Sequence, residues 1–211
     1  MDLGPLFALR LRTPRLELRL PTEDELVELF HVAEAGIHPP EEMPFEIPWT
    51  DTLAEDDFLA FHREARDRWS PDDWACIFAT FLDGRVIGVQ AIEAAGFADE
   101  RRVQTGSWLG QAFQRRGYGL EQRAAVLELA FAGLGAREAI SGALVHNVAS
   151  QRISAKLGYG QTGSHEVAPR GEPVEHLDYR IGRGEWRSPI PVEIEGLEPA
   201  LPLFGVTRPP G

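Results

Sequence analysis

Ser107-Trp-Leu-Gly-Gln-Ala-Phe-Gln-Arg-Arg-Gly-Tyr-Gly-Leu120 is the stretch that decides how this chain is read. Its first residues continue a strand that begins at Arg102. The chain then turns through Gln114-Arg115-Arg116-Gly117-Tyr118-Gly119, and an amphipathic helix starts at once. On that helix Leu120, Ala124, Leu127, Phe131 and Leu134 recur at helical spacing and line one face. Gly117 and Gly119 lack side chains, so the backbone there can approach a ligand closely. The free N–H groups of the turn and the first helical residues point outward, and the helix dipole favours an anion at that end. Such a loop suits a pyrophosphate, although a glycine turn alone is more often a plain strand–helix connection.

Working outward, Ala75–Leu82 and Arg85–Glu93 read as strands joined by Asp83-Gly84, a strong hairpin signal. Further upstream, Leu16–Leu20 alternates apolar and charged residues as an edge strand does. Thr22 and Glu25 stand at capping-box spacing and open a helix whose Leu26, Leu29, Phe30 and Ala33 share a face, with Gly36 as its stop. A loop rich in proline (Pro39, Pro40, Pro44, Pro48) leads to a second helix over Asp51–Trp69, with Phe58, Phe61, Ala65 and Trp69 at helical spacing. Downstream come a strand over Ala139–Leu144, a helix over Ala149–Leu157, and late strands over His165–Val167 and Glu175–Ile181. The order β-α-α-β-β-β-α-β-α-β-β predicts an α/β (α+β) fold: a mixed sheet with helices on both faces.

Composition limits the function classes. With 211 residues, 43% hydrophobic and 26% charged, the chain is long enough for a sizeable core, too apolar for disorder and too charged for a membrane protein. Lys+Arg number 21 against 33 Asp+Glu, and the net charge of -12 argues against nucleic acid as a partner. One cysteine excludes an internal disulfide framework and any cysteine-cluster metal site. No signal-peptide core or spanning stretch is visible, so a cytoplasmic protein without membrane contact is expected. Residues 1–188 read as one domain and 189–211 as an extension. Its Val192, Ile194, Leu197, Leu201, Leu203 and Phe204 are too apolar for a free tail, and are expected to dock on the domain or on a second subunit as a homodimer.

About 30 residues after the glycine turn comes Asn147-Val-Ala-Ser150-Gln-Arg-Ile-Ser154-Ala-Lys-Leu157-Gly158-Tyr159. The two segments in this order resemble the signatures of the GCN5-related N-acetyltransferases: a Gln/Arg-x-x-Gly-x-Gly/Ala acetyl-CoA loop, then Asn-x-x-Ser before a helix ending in Gly-aromatic. Leu11–Arg19, with Tyr179-Arg180-Ile181 and Glu185-Trp186, is similar to the ribosomal-protein-alanine acetyltransferase branch. The loop Pro39–Thr50 and Pro202–Gly205 resemble an actinobacterial subgroup, some of whose members use succinyl-CoA.

The resemblance implies a mostly antiparallel central sheet, splayed where acyl-CoA enters. It places the pyrophosphate on Gln114, Arg115, Arg116, Gly117, Tyr118 and Gly119, and the pantetheine along Ser107, Trp108 and Leu109, which part from Ala139–Leu144. Asn147 stands beside the pantetheine or the sulfur end. The implied reaction is direct attack of an amine on the thioester of acetyl-CoA or succinyl-CoA, with no metal. The acceptor is a primary amine on a small molecule, a protein N-terminus or a lysine.

Departures from the family pattern make the acid/base residues less legible. Ser154 stands where many members carry the tyrosine that protonates the thiolate, so Asn147, Ser150 and Ser154 are the candidate catalytic residues; Ser150 is equally a helix cap. Gln104 occupies the usual position of a general-base glutamate. Glu166 and Glu172 are out of phase with the other common base, and His146, His165 and His176 read more readily as structural histidines. In the Pro-rich loop, Phe45 and Trp49 either wall a substrate pocket or pack on the core, while Glu41, Glu42 and Glu46 would attract a cationic amine. A carboxylated acyl group would need a cation, for which Arg102, Arg152 and Arg170 are available. A non-catalytic CoA-binding module is the alternative function.

Overall fold

The computed structural model describes residues 1–206, so the last part of the 189–211 extension lies outside the described residues. In chain order the elements are α1 (Gly4–Ala8), β1 (Arg10–Arg12), β2 (Leu16–Arg19), α2 (Glu23–Glu34), α3 (Glu55–Asp67), β3 (Asp73–Leu82), β4 (Arg85–Ala95), α4 (Phe97–Glu100), β5 (Arg102–Leu109), α5 (Tyr118–Glu128), β6 (Glu138–Leu144), α6 (Val148–Lys156), β7 (Gly160–Val167), β8 (Val174–Gly182), β9 (Glu193–Glu195) and α7 (Leu197–Ala200). The strands form one sheet in the order β7-β8-β6-β5-β4-β3-β2-β1-β9. Every neighbouring pair is antiparallel except β5 and β6.

Strand alternation divides the core into layers. On β3, Trp74, Cys76 and Phe78 face α5, with Ile87, Ile92, Ala124, Leu127 and Phe131. Ile77, Ala79 and Phe81 face the other way, against Leu26, Leu29 and Phe30 of α2 and Phe58 and Leu59 of α3. The β3–β4 hairpin closes on Asp83 (φ 50) and Gly84 (φ 77), the positive dihedrals that match the right-handed twist of its strands. Thr22 caps α2 as its spacing indicates, with its hydroxyl accepting from Glu25 N–H and the Glu25 carboxylate accepting from Thr22 N–H.

Several expectations change. Leu16–Arg19 is not at the edge, because β1 and then β9 pair beyond it; each is three residues long, too short to show a period. The second helix starts at Glu55, since residues Trp49–Thr52 form a tight 3-10 turn and Ala54 is extended. Phe61 is exposed, and the buried face of α3 is Phe58, Leu59, His62 and Ala65. The helix after the glycine turn is not simply amphipathic: Glu121, Gln122 and Arg123 are buried along with its apolar residues. Its last turn is a π-helix over Leu129–Gly133.

The C-terminal segment packs on its own chain. It adds β9 to β1 and buries Leu201, Leu203, Phe204 and Val206. Phe204 sits edge-on against Trp69 and Trp74 at 5.4 and 4.9 Å, and Trp69 Nε1–H donates to the Leu203 carbonyl at 2.7 Å.

Candidate active site

Among the described residues the sheet opens between its one parallel pair, β5 and β6. Arg102, Val103 and Gln104 lie opposite Glu138, Ala139 and Ile140, and there the ladder stops. β5 nevertheless stays paired with β4 as far as Leu109, and β6 with β8 as far as Leu144. Each strand is held from its outer side while the two part, leaving a V between Ser107–Leu109 and the end of β6. At the vertex Ser141 Oγ–H donates to the Thr105 carbonyl at 3.1 Å, and the Tyr159 and Thr105 hydroxyls meet at 3.3 Å. Beyond the vertex, main-chain groups on the inner edge of β5 have no strand beside them, and an extended ligand with amides can pair there.

The loop at the mouth of the V is curled by two left-handed residues, Arg115 (φ 61) and Gly117 (φ 86), the second being the N-cap of α5. A main chain curled in this way at a helix start gathers N–H groups into an anion-binding concavity. Arg115 and Arg116 project into solvent beside it. The loop is braced from the β1–β2 turn, which sequence reasoning missed. Arg15 donates to the Arg116 carbonyl at 3.0 Å, lies over the Tyr118 ring at 4.6 Å, and pairs with buried Glu121 through Nε at 2.7 Å. Thr13 Oγ1–H and the Arg15 N–H also donate to Glu121. Gln114 turns inward, its Nε2 donating to the Ile37 and Leu109 carbonyls at 2.7 Å each, so its side chain anchors the loop. Gly119 packs closely on α6: a Cβ there would lie 3.0 Å from Ile153 Cδ1, which would have to give way.

Ser107, Ser150 and Ser154, from opposite walls of the V, converge on one buried side chain. Arg123 Nη1–H donates to Ser154 Oγ at 3.0 Å, and Nη2–H to Ser107 Oγ and Ser150 Oγ at 3.4 Å each. Ser150 is therefore not the helix cap. Asn147 caps α6, its Oδ1 accepting from Ser150 N–H at 3.1 Å, while its Nδ2 donates to the Pro44 carbonyl. Ser154 is fully buried against Arg123, whereas Ser107 and Ser150 are half-buried and border the V.

On the α2/α3 face a row of register partners crosses the sheet: Ala75, Glu93, Gln104 and Ile140. With Ala65 of α3 and Arg68 at its C-terminal end they line a groove of about 490 Å3. Glu93 stands directly opposite Gln104, and burial, reinforced by Asp73, raises its carboxyl above the ordinary value. The hairpin register hid it from sequence reasoning. Gly106 borders open space on the same face.

Phe45 and Trp49 are half-buried, and their rings run from the Pro-rich loop to the sheet: Phe45 to Trp49 at 5.4 Å, and Trp49 to Trp108 at 5.9 Å and Phe58 at 6.2 Å. Trp108 thus faces the aromatic loop, while its neighbour Ser107 faces Arg123. The loop is pinned to the far wall, since His146 Nε2 lies 2.7 Å from the Met43 carbonyl and Arg170 forks onto Asp51 at 2.8 and 2.6 Å. Glu41, Glu42 and Glu46 are exposed, as are Glu166 and Glu172. His165 and His176 each lie 3.3 Å from an Asp178 oxygen. The donor atoms of these three lie within 4.8 Å of one another, a set that sequence reasoning did not bring together. Of the cations considered for a carboxylated acyl group, Arg102 is paired with Glu100 and Glu138 and Arg170 with Asp51, while Arg152 is exposed on α6. Among the described residues no helix is long and apolar enough to cross a membrane.

Residues 15–160 match the acetyltransferase (GNAT) domain family. Solved structures share the architecture at low identity. A protein described as a ribosomal-protein-serine acetyltransferase from Vibrio cholerae is 22% identical, with a TM-score of 0.65 over 82% of this chain and 97% of its own. RimJ of Mycobacterium smegmatis, in complex with a CoA disulfide, is 17% identical, with a TM-score of 0.69 over 86% of this chain and 90% of its own. RimL, a ribosomal L7/L12 alpha-N-protein acetyltransferase in complex with coenzyme A, is 16% identical, with a TM-score of 0.65 over 81% and 95%.

Proposed function

The chain belongs to the GNAT acetyltransferase family, and from that premise we propose that it transfers an acetyl group from acetyl-CoA directly to a primary amine, a protein N-terminus being the acceptor class we favour. The observation that carries this reading is the parting of β5 from β6 above a curled loop at the start of α5. We assign the pyrophosphate to the main chain of residues 115–119, with Arg115 and Arg116 as flanking cations, and the pantetheine to the free edge of Ser107–Leu109. Gln114 acts by shaping the loop and Asn147 by fixing the start of α6. Phe45, Trp49 and Trp108 wall the acceptor side. Glu93 is the group we assign to take the amine proton, because burial holds its pKa up, closer to that of a base working near neutrality.

The acceptor class rests on likeness to enzymes that act on ribosomal proteins. Acetyl is favoured over succinyl because two of the three cations near the site already have carboxylate partners. Calorimetric titration with acetyl-CoA and succinyl-CoA tests the site, and millimolar concentrations of either without binding would refute it. The alternative, a non-catalytic CoA-binding module, is favoured by Gln104 at the usual base position and by the burial of Ser154. Release of free CoA thiol over a panel of amines and N-terminal peptides separates the two, because a module binds CoA without turnover. Of the apolar groups that suggest a homodimer through the C-terminal segment, Leu201, Leu203 and Phe204 are buried in their own chain, and half-buried Val192, Ile194 and Leu197 are the ones left to meet a partner. Light scattering decides that point.

A further inference from the structure

Arg123 is a fully buried guanidinium, 3% exposed, and no carboxylate pairs with it among the described residues. An arginine stays charged in a protein, and a buried charge without a counter-ion costs several kcal/mol. Its partners do not repay that cost. They are three hydroxyls, two of them at the long distance of 3.4 Å, and its Nε–H is buried with no acceptor. The other groups facing it are neutral. The Tyr159 phenol is held protonated by burial and hydrogen-bonds Thr105.

The placement is specific. A single atom, Nη2, reaches Ser107 on the β5 wall and Ser150 on the α6 wall, so the guanidinium closes the floor of the V between them. A guanidinium only donates, so each serine oxygen accepts from it and each serine proton must point elsewhere. For half-buried Ser107 and Ser150 the open direction is the cleft.

We propose that Arg123 forms a cationic floor for the acyl end of the cleft and stabilises the thiolate that leaves, acting through the hydroxyls of Ser107 and Ser150. The inference rests on the acyl-CoA reading of the site. In the step concerned, the amine nitrogen forms a bond to the carbonyl carbon. The C–S bond then breaks with its electron pair going to sulfur, and the surplus amine proton ends on that sulfur as free CoA thiol. A fixed positive charge with two O–H donors lowers the energy of the sulfur anion in the transition state. Arg123 touches the serines rather than the reacting atoms, so it is a positioning residue and Ser150 the nearest donor.

The test is the acidity of the CoA thiol bound to the full chain, read from thiolate absorbance in the ultraviolet as pH is raised. The wild-type complex is expected to titrate below the ordinary thiol value of about 8.5. Arg123→Met should bring it back to that value or above and lower kcat at least ~10-fold, with KM for acetyl-CoA nearly unchanged; Arg123→Lys should restore part of both. Should Arg123→Met fail to fold, Ser150→Ala keeps the charge and removes a donor, and is expected to shift the thiol in the same direction by less. A wild-type complex titrating at 8.5 or above, or folded variants titrating with the wild type, overturns the inference while leaving acyl-CoA binding intact. Absence of CoA binding by the wild type overturns the functional reading itself, and this inference with it.

Discussion

Gly117 and Gly119 look alike in the sequence and do different work. Gly117 has φ 86 and caps α5 where the anion-binding N–H groups gather, whereas Gly119 lets α5 and α6 approach. A Gly117→Glu substitution strains the left-handed backbone and puts a negative charge where we propose the pyrophosphate binds. Calorimetry is expected to show acetyl-CoA binding abolished, with the melting temperature falling only modestly. The folded pKa of Glu93 lies above 4.5, so the base form is lost as pH falls through that raised value, and kcat/KM should fall with it. Glu93→Gln should remove this acidic limb and reduce kcat by about 10²-fold or more, measured by CoA release. If activity and profile stay unchanged, the proton goes elsewhere. Neither the packing of Gly119 against α6 nor the partner of Glu93 can be read from residue type, because both depend on what stands opposite in space.

Among the elements, α2 is the one whose sequence says most about its structure. Its capping box was legible because both partners lie within one turn, and Thr22→Ala should cost about 1 kcal/mol in urea unfolding. The same Glu25 accepts from Arg19 of β2, and this hydrogen bond is the chief cause of a carboxyl pKa held near 2. Its folded pKa lies below the unfolded value of 4.5, so its stabilisation is present above pH 4.5 and is lost as pH falls toward 2. His62 of α3 acts in a higher window. Burial, aided by the charge of Arg66, lowers its pKa from 6.5 to about 4. The unfolded chain then binds a proton that the folded chain refuses, so stability should decline as pH drops from 6.5 toward 4. A thermal-unfolding series should show this decline, and His62→Phe should flatten it. The element least legible was α5. Local periodicity marks its apolar face, but the burial of Glu121, Gln122 and Arg123 follows from neighbours in the β1–β2 turn, β4 and α6.

For the molecule as a whole, the C-terminal segment is the test of how much folding depends on distant contacts. A chain ending after Ser188 loses β9, the Trp69–Leu203 hydrogen bond and the Phe204 side chain that fills the space between Trp69 and Trp74. The truncated chain is expected to melt far lower or to aggregate, and Phe204→Ala alone should cost about 3–5 kcal/mol. Light scattering of an undiminished, folded truncated chain would contradict this. The acidic surplus of the chain, at -12, is compatible with the proposed pyrophosphate site, which would rely on main-chain N–H groups and local arginines rather than net charge. By itself the sequence determined the order of the longer strands and helices from β2 to β8, the glycine turn at the start of α5 and the family signatures, since each is written in residues close together along the chain; the short α1, β1, α4, β9 and α7 carry no such signal. The tertiary structure alone decided that Ser107, Ser150 and Ser154 share one buried arginine, that Glu93 faces Gln104, and that the tail closes the core of its own chain. Those contacts join strands and helices far apart in sequence, and a period or a motif carries no information about which of them will meet.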